Sequence, residues 1–105
     1  MGDIVIVAYC PKPGRDADLA TLLATHVPDL RAWNLATNRP SSLMRAANGT
    51  FLEVFEWHQG AVARAHQDPR VHAMWARFAE TCDIINLRDV PETANLFATF
   101  APVPD

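Results

Sequence analysis

The pattern of hydrophobic positions along the chain predicts short strands that alternate with amphipathic helices. Residues 3–10 are apolar on both faces of an extended segment, which is typical of a strand buried on both sides. Apolar residues then recur at helical spacing, and Pro28 predicts a kink or a restart within that helix. The helical stripe consists of Leu19, Leu22, Leu23, Val27 and Leu30.

A hairpin is the sharpest local prediction. Two strand-like runs, 42–47 and 50–57, are joined by the Asn-Gly pair at 48–49, which favours a two-residue type I′ turn. That turn would place Met44 opposite Glu53 on one face of the hairpin. The neighbours of Met44, Leu43 and Arg45, would then lie on the other face.

The second half of the chain predicts a broken helix and another strand. A short helix is expected over 59–66, and Asp68 and Pro69 form a cap and a first helical position that restart it. Its apolar stripe leads into a short strand over 83–87. The restarted helix carries Val71, Met74, Trp75, Phe78 and Cys82 in that stripe.

A last helix is predicted near the C-terminus. Asp89 with Glu92 three residues later resembles a capping box, in which each side chain bonds the other's backbone N–H. This helix would carry Leu96, Phe97 and Phe100.

The order of elements predicts an α+β fold of the ferredoxin-like βαββαβ type. It would have a four-stranded antiparallel sheet with helices on one face, plus the C-terminal helix. Residues 1–101 would form the single domain and 102–105 a tail. Because the second sheet face is also apolar, we expect a second copy to cover it, as a homodimer that forms an α/β barrel.

Composition excludes several classes of partner. The 105 residues include nine basic and twelve acidic side chains, for a net charge of -3, and no basic tract. A nucleic-acid partner is therefore not expected. No segment approaches the roughly 20 apolar residues of a membrane span, so no membrane partner is expected either. Cys10 and Cys82 are far apart and predict free thiols in a cytoplasmic protein.

The segment after the hairpin resembles the dimeric α/β-barrel superfamily, specifically antibiotic-biosynthesis-monooxygenase-like domains. The resemblance rests on an acid-aromatic pair, a following helix with a histidine, and a proline restart: Glu56, Trp57, Ala61, Ala65, His66, Asp68 and Pro69. It implies an oxygenase that needs no cofactor, in which the deprotonated substrate supplies electrons to oxygen. The haem-degrading branch is disfavoured, because its first-strand asparagine has no counterpart beside Tyr9.

Glu53 is the first candidate catalytic residue. It lies among aromatic strand residues, including Phe55 and Trp57, where an unpaired carboxylate would have a raised pKa and exchange protons near neutral pH. The alternative is a partnered charge, with Arg45 or Arg77, or an exposed position at the rim of the barrel.

His66 is the second candidate, as a general base for an acidic substrate such as a phenol. The alternative is a histidine that bonds the backbone at the helix end. His26 has no neighbouring ligand in sequence, and a metal site is not expected. Side chains that would line a site for a flat aromatic ligand, or would otherwise be core, are Tyr9, Phe55, Trp57 and Trp75.

Two functions from different classes therefore remain. The protein binds a small aromatic or conjugated molecule and acts as a cofactor-independent monooxygenase-like enzyme, or it is a non-catalytic dimeric binding or assembly module with a filled core. An open apolar pocket between helices and sheet would favour the first, and a closed interior with Glu53 ion-paired would favour the second.

Overall fold

The computed structural model describes residues 2–104. This part of the chain forms one antiparallel sheet and three α-helices. The strands pair in the order β4-β1-β3-β2-β5. This confirms the predicted α+β class, and the order of the first four strands is compatible with a ferredoxin-like arrangement. The elements are β1 (Gly2–Pro11), α1 (Asp16–Ala32), β2 (Ser42–Arg45), β3 (Phe51–His58), α2 (Ala61–Ala65), α3 (Pro69–Thr81), β4 (Cys82–Ile85) and β5 (Ala101–Pro102).

The main core lies between the sheet and the helices. Alternate residues of β1 and β3 face the helices, because side chains along a strand point to opposite faces in turn. Helix α1 runs without interruption through Pro28 and packs the predicted apolar stripe against them. The buried residues of this core include Tyr9, Leu19, Leu23, Leu30, Phe51, Phe55, Val71, Met74 and Phe78.

The break between α2 and α3 is confirmed. The Asp68 carboxylate accepts a hydrogen bond from the backbone N–H of Arg70 at 2.9 Å, and Pro69 occupies the first helical position. Proline suits that position because its missing N–H would have no helical partner there.

The hairpin forms, but its predicted register is wrong by one residue. Met44 lies opposite Leu52, and Leu43 lies opposite Glu53. The loop has three residues, 47–49, because Ala46 pairs with Thr50 and Gly49 adopts a φ of +95°. A three-residue loop that ends in a left-handed glycine shifts the pairing by one residue and exchanges the two faces of β2.

The predicted C-terminal helix is also wrong. Two short 3-10 turns, Leu87–Asp89 and Pro91–Ala94, precede an irregular segment that leads into β5. Glu92 does not complete a capping box, since its carboxylate accepts from the backbone N–H of Ala47 at 2.8 Å. The segment is held to the hairpin instead of forming a helix of its own.

The sheet face opposite the helices, here called the outer face, is covered only in part. Val90, which is fully buried, packs with Ala8, Ala46 and Leu52 in a small second core. Beyond this cluster, Ile4 and Ile6 of β1 are 56% and 51% exposed.

The C-terminal segment adds two more exposed apolar side chains, Leu96 and Phe97, which are 94% and 85% exposed. Within residues 2–104, no helix has both the length and the hydropathy needed to cross a membrane.

Candidate functional site

A buried carboxylate lies at the centre of the candidate site. Glu53 is in the middle of β3, on the side that faces the helices, and is only 2% exposed. Its Oε1 accepts a hydrogen bond from the hydroxyl of Tyr9, on the neighbouring strand β1, at 2.9 Å. The same oxygen contacts Nδ1 of His26, from α1, at 2.8 Å. The expected alternatives, an ion pair with Arg45 or Arg77 or a position at an exposed rim, are therefore not observed.

The Glu53–His26 contact determines which imidazole nitrogen is available for chemistry. An ionised carboxylate can only accept hydrogen bonds, so Nδ1 of His26 donates and carries a proton. Nε2 has no hydrogen-bond partner among the residues of the described part of the chain. A carboxylate on Nδ1 orients the ring and stabilises the imidazolium that forms when Nε2 takes a proton.

Tyr9 acts as a neutral donor in this arrangement. Burial first, and then the Coulombic effect of the nearby Glu53 carboxylate, raise the pKa of Tyr9 far above its ordinary value of 10.0. The hydroxyl therefore keeps its proton at every physiological pH and continues to donate to Glu53. Its ring stacks on Phe78 with the ring centres 5.4 Å apart, which fixes its position.

Aromatic rings surround the His26 imidazole. Phe55 and Phe78 pack edge-on to it, with ring centres 5.6 Å and 5.0 Å away. His26 itself is 5% exposed. Rings that pack from two directions restrict rotation of the imidazole and shield the Glu53 contact from water, which strengthens it.

A pocket of about 220 Å³, here called the α3 pocket, opens beside this histidine. His26 and Tyr9 are lining residues of a wall that is almost entirely apolar. Its other lining residues are Val5, Val7, Phe55, Trp57, Trp75, Phe78 and Ile84. The four expected ligand-binding residues therefore all lie in this wall: Tyr9, Phe55, Trp57 and Trp75.

The α3 pocket opens toward the β4 edge of the sheet. Ile84 faces the helix side, because it pairs with Tyr9, yet it is 65% exposed. The helices therefore leave this edge uncovered. An adjoining groove of about 340 Å³ shares Trp75, Phe78 and Ile84 with the pocket, so the pocket and the groove form one continuous apolar space.

Cys82 lies in the wall of that groove but is not an activated nucleophile. Both cysteines are free, and Cys82 is buried whereas Cys10 is half-buried. Burial first, and then the nearby Asp83 carboxylate, raise the pKa of the Cys82 thiol to about 11. The thiolate that would react is therefore scarce at neutral pH.

His66, the other predicted base, lies away from Glu53. It is exposed at the end of α2, and its Nδ1 donates to the backbone carbonyl of Val62 at 3.2 Å. Its ring packs edge-on to Trp75 with the ring centres 5.1 Å apart. Trp75 also lines the α3 pocket, so His66 packs against a residue of the pocket wall but is not itself a lining residue.

His26 is the site residue that sequence reasoning missed. It lies three residues after Leu23 and four before Leu30, and so falls on the same buried stripe of α1. A histidine at such a position needs a hydrogen-bond partner, since an unpaired buried polar group is costly. That argument points to a partner across the core, but the helical spacing does not identify Glu53.

Residues 2–104 contain no cluster of three or more His, Cys, Asp or Glu side chains that could hold a metal ion. Comparisons with protein-family models, with curated proteins and with solved structures found no match. Function has to be inferred from the geometry of the site.

Proposed function

We propose that the protein binds a small, flat, acidic organic molecule in the α3 pocket and that His26 takes a proton from it. The observation that carries this proposal is the buried contact of 2.8 Å between Glu53 Oε1 and His26 Nδ1, beside an apolar pocket. A carboxylate-imidazole pair oriented in this way is a common general base, because the carboxylate stabilises the imidazolium.

The chemistry of the pocket wall defines the class of ligand. Aromatic and aliphatic side chains provide flat contact area, and the free Nε2 of His26 is the acceptor for one acidic proton. Within residues 2–104, no lysine or arginine lines the pocket to attract a permanent anion. A phenol or another conjugated acid that enters neutral and ionises in place fits these features best.

The resemblance to antibiotic-biosynthesis monooxygenases extends the proposal to oxygenation. In this extension, the proton moves from the ligand to Nε2 of His26, and the resulting conjugated anion supplies electrons to molecular oxygen. His26, Glu53 and Tyr9 provide the base and its orientation, and the rings around them exclude water.

The test uses 4-nitrophenol, whose phenolate is yellow, and 4-nitroanisole, which has no acidic proton. Binding to the protein should increase the phenolate band of 4-nitrophenol at a pH below the free compound's pKa. The His26→Phe variant should lose this increase, whereas His58→Phe, on an exposed residue at the end of β3, should keep it.

His66→Phe separates the two histidine assignments. If His26 is the base, the His66 variant keeps the phenolate band. A phenolate band that is kept in His26→Phe and lost in His66→Phe would show that His66 is the base. Equal binding of both probes with no phenolate band would refute proton abstraction altogether.

We also propose that a second copy of the chain covers the outer face. Ile4 and Ile6 are exposed side by side on β1, and Val54 of β3, which pairs with Ile6, is half-buried beside them. An apolar surface of this kind on a small domain favours association. A face-to-face dimer would bury it and would form the barrel expected from the sequence.

Light scattering coupled to size exclusion tests this assembly. The native chain should elute with the mass of a dimer, and Ile6→Asp with the mass of a monomer. Val62→Asp, which places the same charge on an exposed apolar residue of α2, should remain dimeric. A monomeric native protein would contradict the proposal.

A further inference from the structure

A second cavity, of about 470 Å³, lies between α1 and the β2 edge of the sheet and is here called the α1 cavity. It shares no lining residue with the α3 pocket. Leu23, Val27 and Leu43 form part of its wall, and Val103 closes it from the C-terminal segment, where the Val103 N–H donates to the Leu43 carbonyl.

Glu53 contributes the acidic group of this cavity. Both of its hydrogen bonds, from Tyr9 and from His26, end on Oε1. Oε2 accepts no hydrogen bond from residues 2–104, although the side chain is only 2% exposed. A carboxylate oxygen that has no partner, in a side chain that is otherwise almost fully buried, favours a donor group that reaches it from the cavity.

Among the described residues, the other charge in the wall belongs to Arg31. Its guanidinium already donates to the backbone carbonyls of Thr37 and Arg39, at 2.8 Å and 2.7 Å. Its positive charge disfavours a cation close to it, so the favourable position for a cationic group is at Glu53. The rest of the lining combines aliphatic side chains with two serines, Ser41 and Ser42.

We propose that the α1 cavity binds an aliphatic primary amine, whose ammonium group donates to Oε2 of Glu53 while its chain packs on Leu23, Val27 and Leu43. An ammonium–carboxylate hydrogen bond is among the stronger hydrogen bonds in proteins, and the apolar walls exclude competing water. The α1 cavity shares no lining residue with the α3 pocket, and although Glu53 also contacts His26, amine binding does not depend on any turnover in that pocket.

The experiment compares hexylamine, hexanol and hexanoate by nuclear magnetic resonance of the full-length protein, at a pH where the amine is protonated. Hexylamine should shift the backbone signals of Ala24, Leu43 and Val103, hexanol should do so more weakly, and hexanoate should not. Hexanoate shifts as large as those of hexylamine, or amine shifts confined to Trp75 and Ile84, would overturn the proposal.

Two variants on α1 provide a matched pair. Ala24→Phe fills the cavity and should abolish the hexylamine shifts, whereas Ala17→Phe, on an exposed position of the same helix outside the cavity, should preserve them. Retained binding in Ala24→Phe would refute the site, whether or not other variants fold.

Glu53→Gln tests the charge itself. Loss of a charge-assisted hydrogen bond should weaken hexylamine binding about tenfold or more, while hexanol binding should change less than about twofold. Equal effects on both probes would refute the ammonium–carboxylate contact. Because Glu53 also orients His26, the two sites are separated with Ala24→Phe, which changes no lining residue of the α3 pocket and should keep the nitrophenol signal while it loses the hexylamine shifts.

Discussion

Alkaline titration of Tyr9 is the most direct test of the buried network. Tyr9 is the sole tyrosine of the chain, so the ultraviolet absorbance of tyrosinate reports on this residue alone. Burial, followed by the Glu53 carboxylate, raises the pKa of Tyr9 far above 10.0. The folded protein should therefore show no tyrosinate absorbance as the pH passes through 10 and continues to rise.

The same shift determines how stability depends on pH. In the unfolded chain the hydroxyl ionises near 10.0, whereas the folded chain keeps the proton. Below pH 10 the two states hold this proton equally. Above it the folded state holds one more proton, so the free energy of unfolding falls by about 1.4 kcal/mol per pH unit. At pH 12 this residue alone would have reduced stability by about 2.7 kcal/mol.

The assay combines absorbance with circular dichroism across the same pH range. Tyrosinate should appear together with loss of secondary structure, in one transition. Tyr9→Phe should show no tyrosinate signal and a shallower loss of stability above pH 10. It should also be less stable at neutral pH by about 1.5–3 kcal/mol, since it removes a hydrogen bond to a charged acceptor. A tyrosinate signal with a midpoint near 10 in a protein that is still folded would refute the buried Tyr9–Glu53 contact.

Further predictions address the rest of the fold. Iodoacetamide should alkylate Cys82 much more slowly than Cys10 in the folded protein at pH 8, because Cys82 is buried and the pKa of its thiol is about 11. Equal alkylation rates would contradict the packing of Cys82. Val90→Ala should reduce stability to denaturant by about 2 kcal/mol, because it deletes fully buried methyl groups, whereas Val62→Ala, at 43% exposure, should change it by less than about 0.5 kcal/mol. Gly49→Ala should lower the unfolding free energy by about 1–2 kcal/mol, since φ is +95° there, and an unchanged denaturation midpoint would contradict the three-residue hairpin loop.

The sequence predicts the elements of this fold well because local patterns determine them. The α1 stripe, the hairpin and the break at Asp68 and Pro69 each follow from spacing over a few residues. The register of the hairpin does not follow from local spacing, because Asn48 and Gly49 suit both a two-residue turn and a three-residue loop. The helix predicted for the C-terminal segment is wrong for a different reason. The Glu92 carboxylate accepts a hydrogen bond from the backbone N–H of Ala47, which is far from it in sequence.

The candidate site was predicted in part. A carboxylate among aromatic strand residues is unusual and points to Glu53, and the sequence also predicts Tyr9 as a ligand-binding side chain. Their contact depends on the pairing of β1 with β3, and the contact with His26 depends on where α1 crosses the sheet. The distance in sequence from His26 to Glu53 carries no periodicity that a local pattern could detect. His66 is closer to the hairpin in sequence than His26 is, but in space it lies on the surface.

Stability alone gives a weak reason for a buried carboxylate in this core. Removing an ionised group from water has a large free-energy cost, and replacing a buried polar network by apolar residues of similar volume is often neutral or stabilising. Leucine and phenylalanine already fill the neighbouring positions on β3 and α1, so the fold has apolar alternatives at Glu53, His26 and Tyr9. The network instead leaves Nε2 of His26 free beside the α3 pocket and Oε2 of Glu53 free beside the α1 cavity. One acceptor beside each of two cavities is an arrangement that ligand binding explains and that packing does not require.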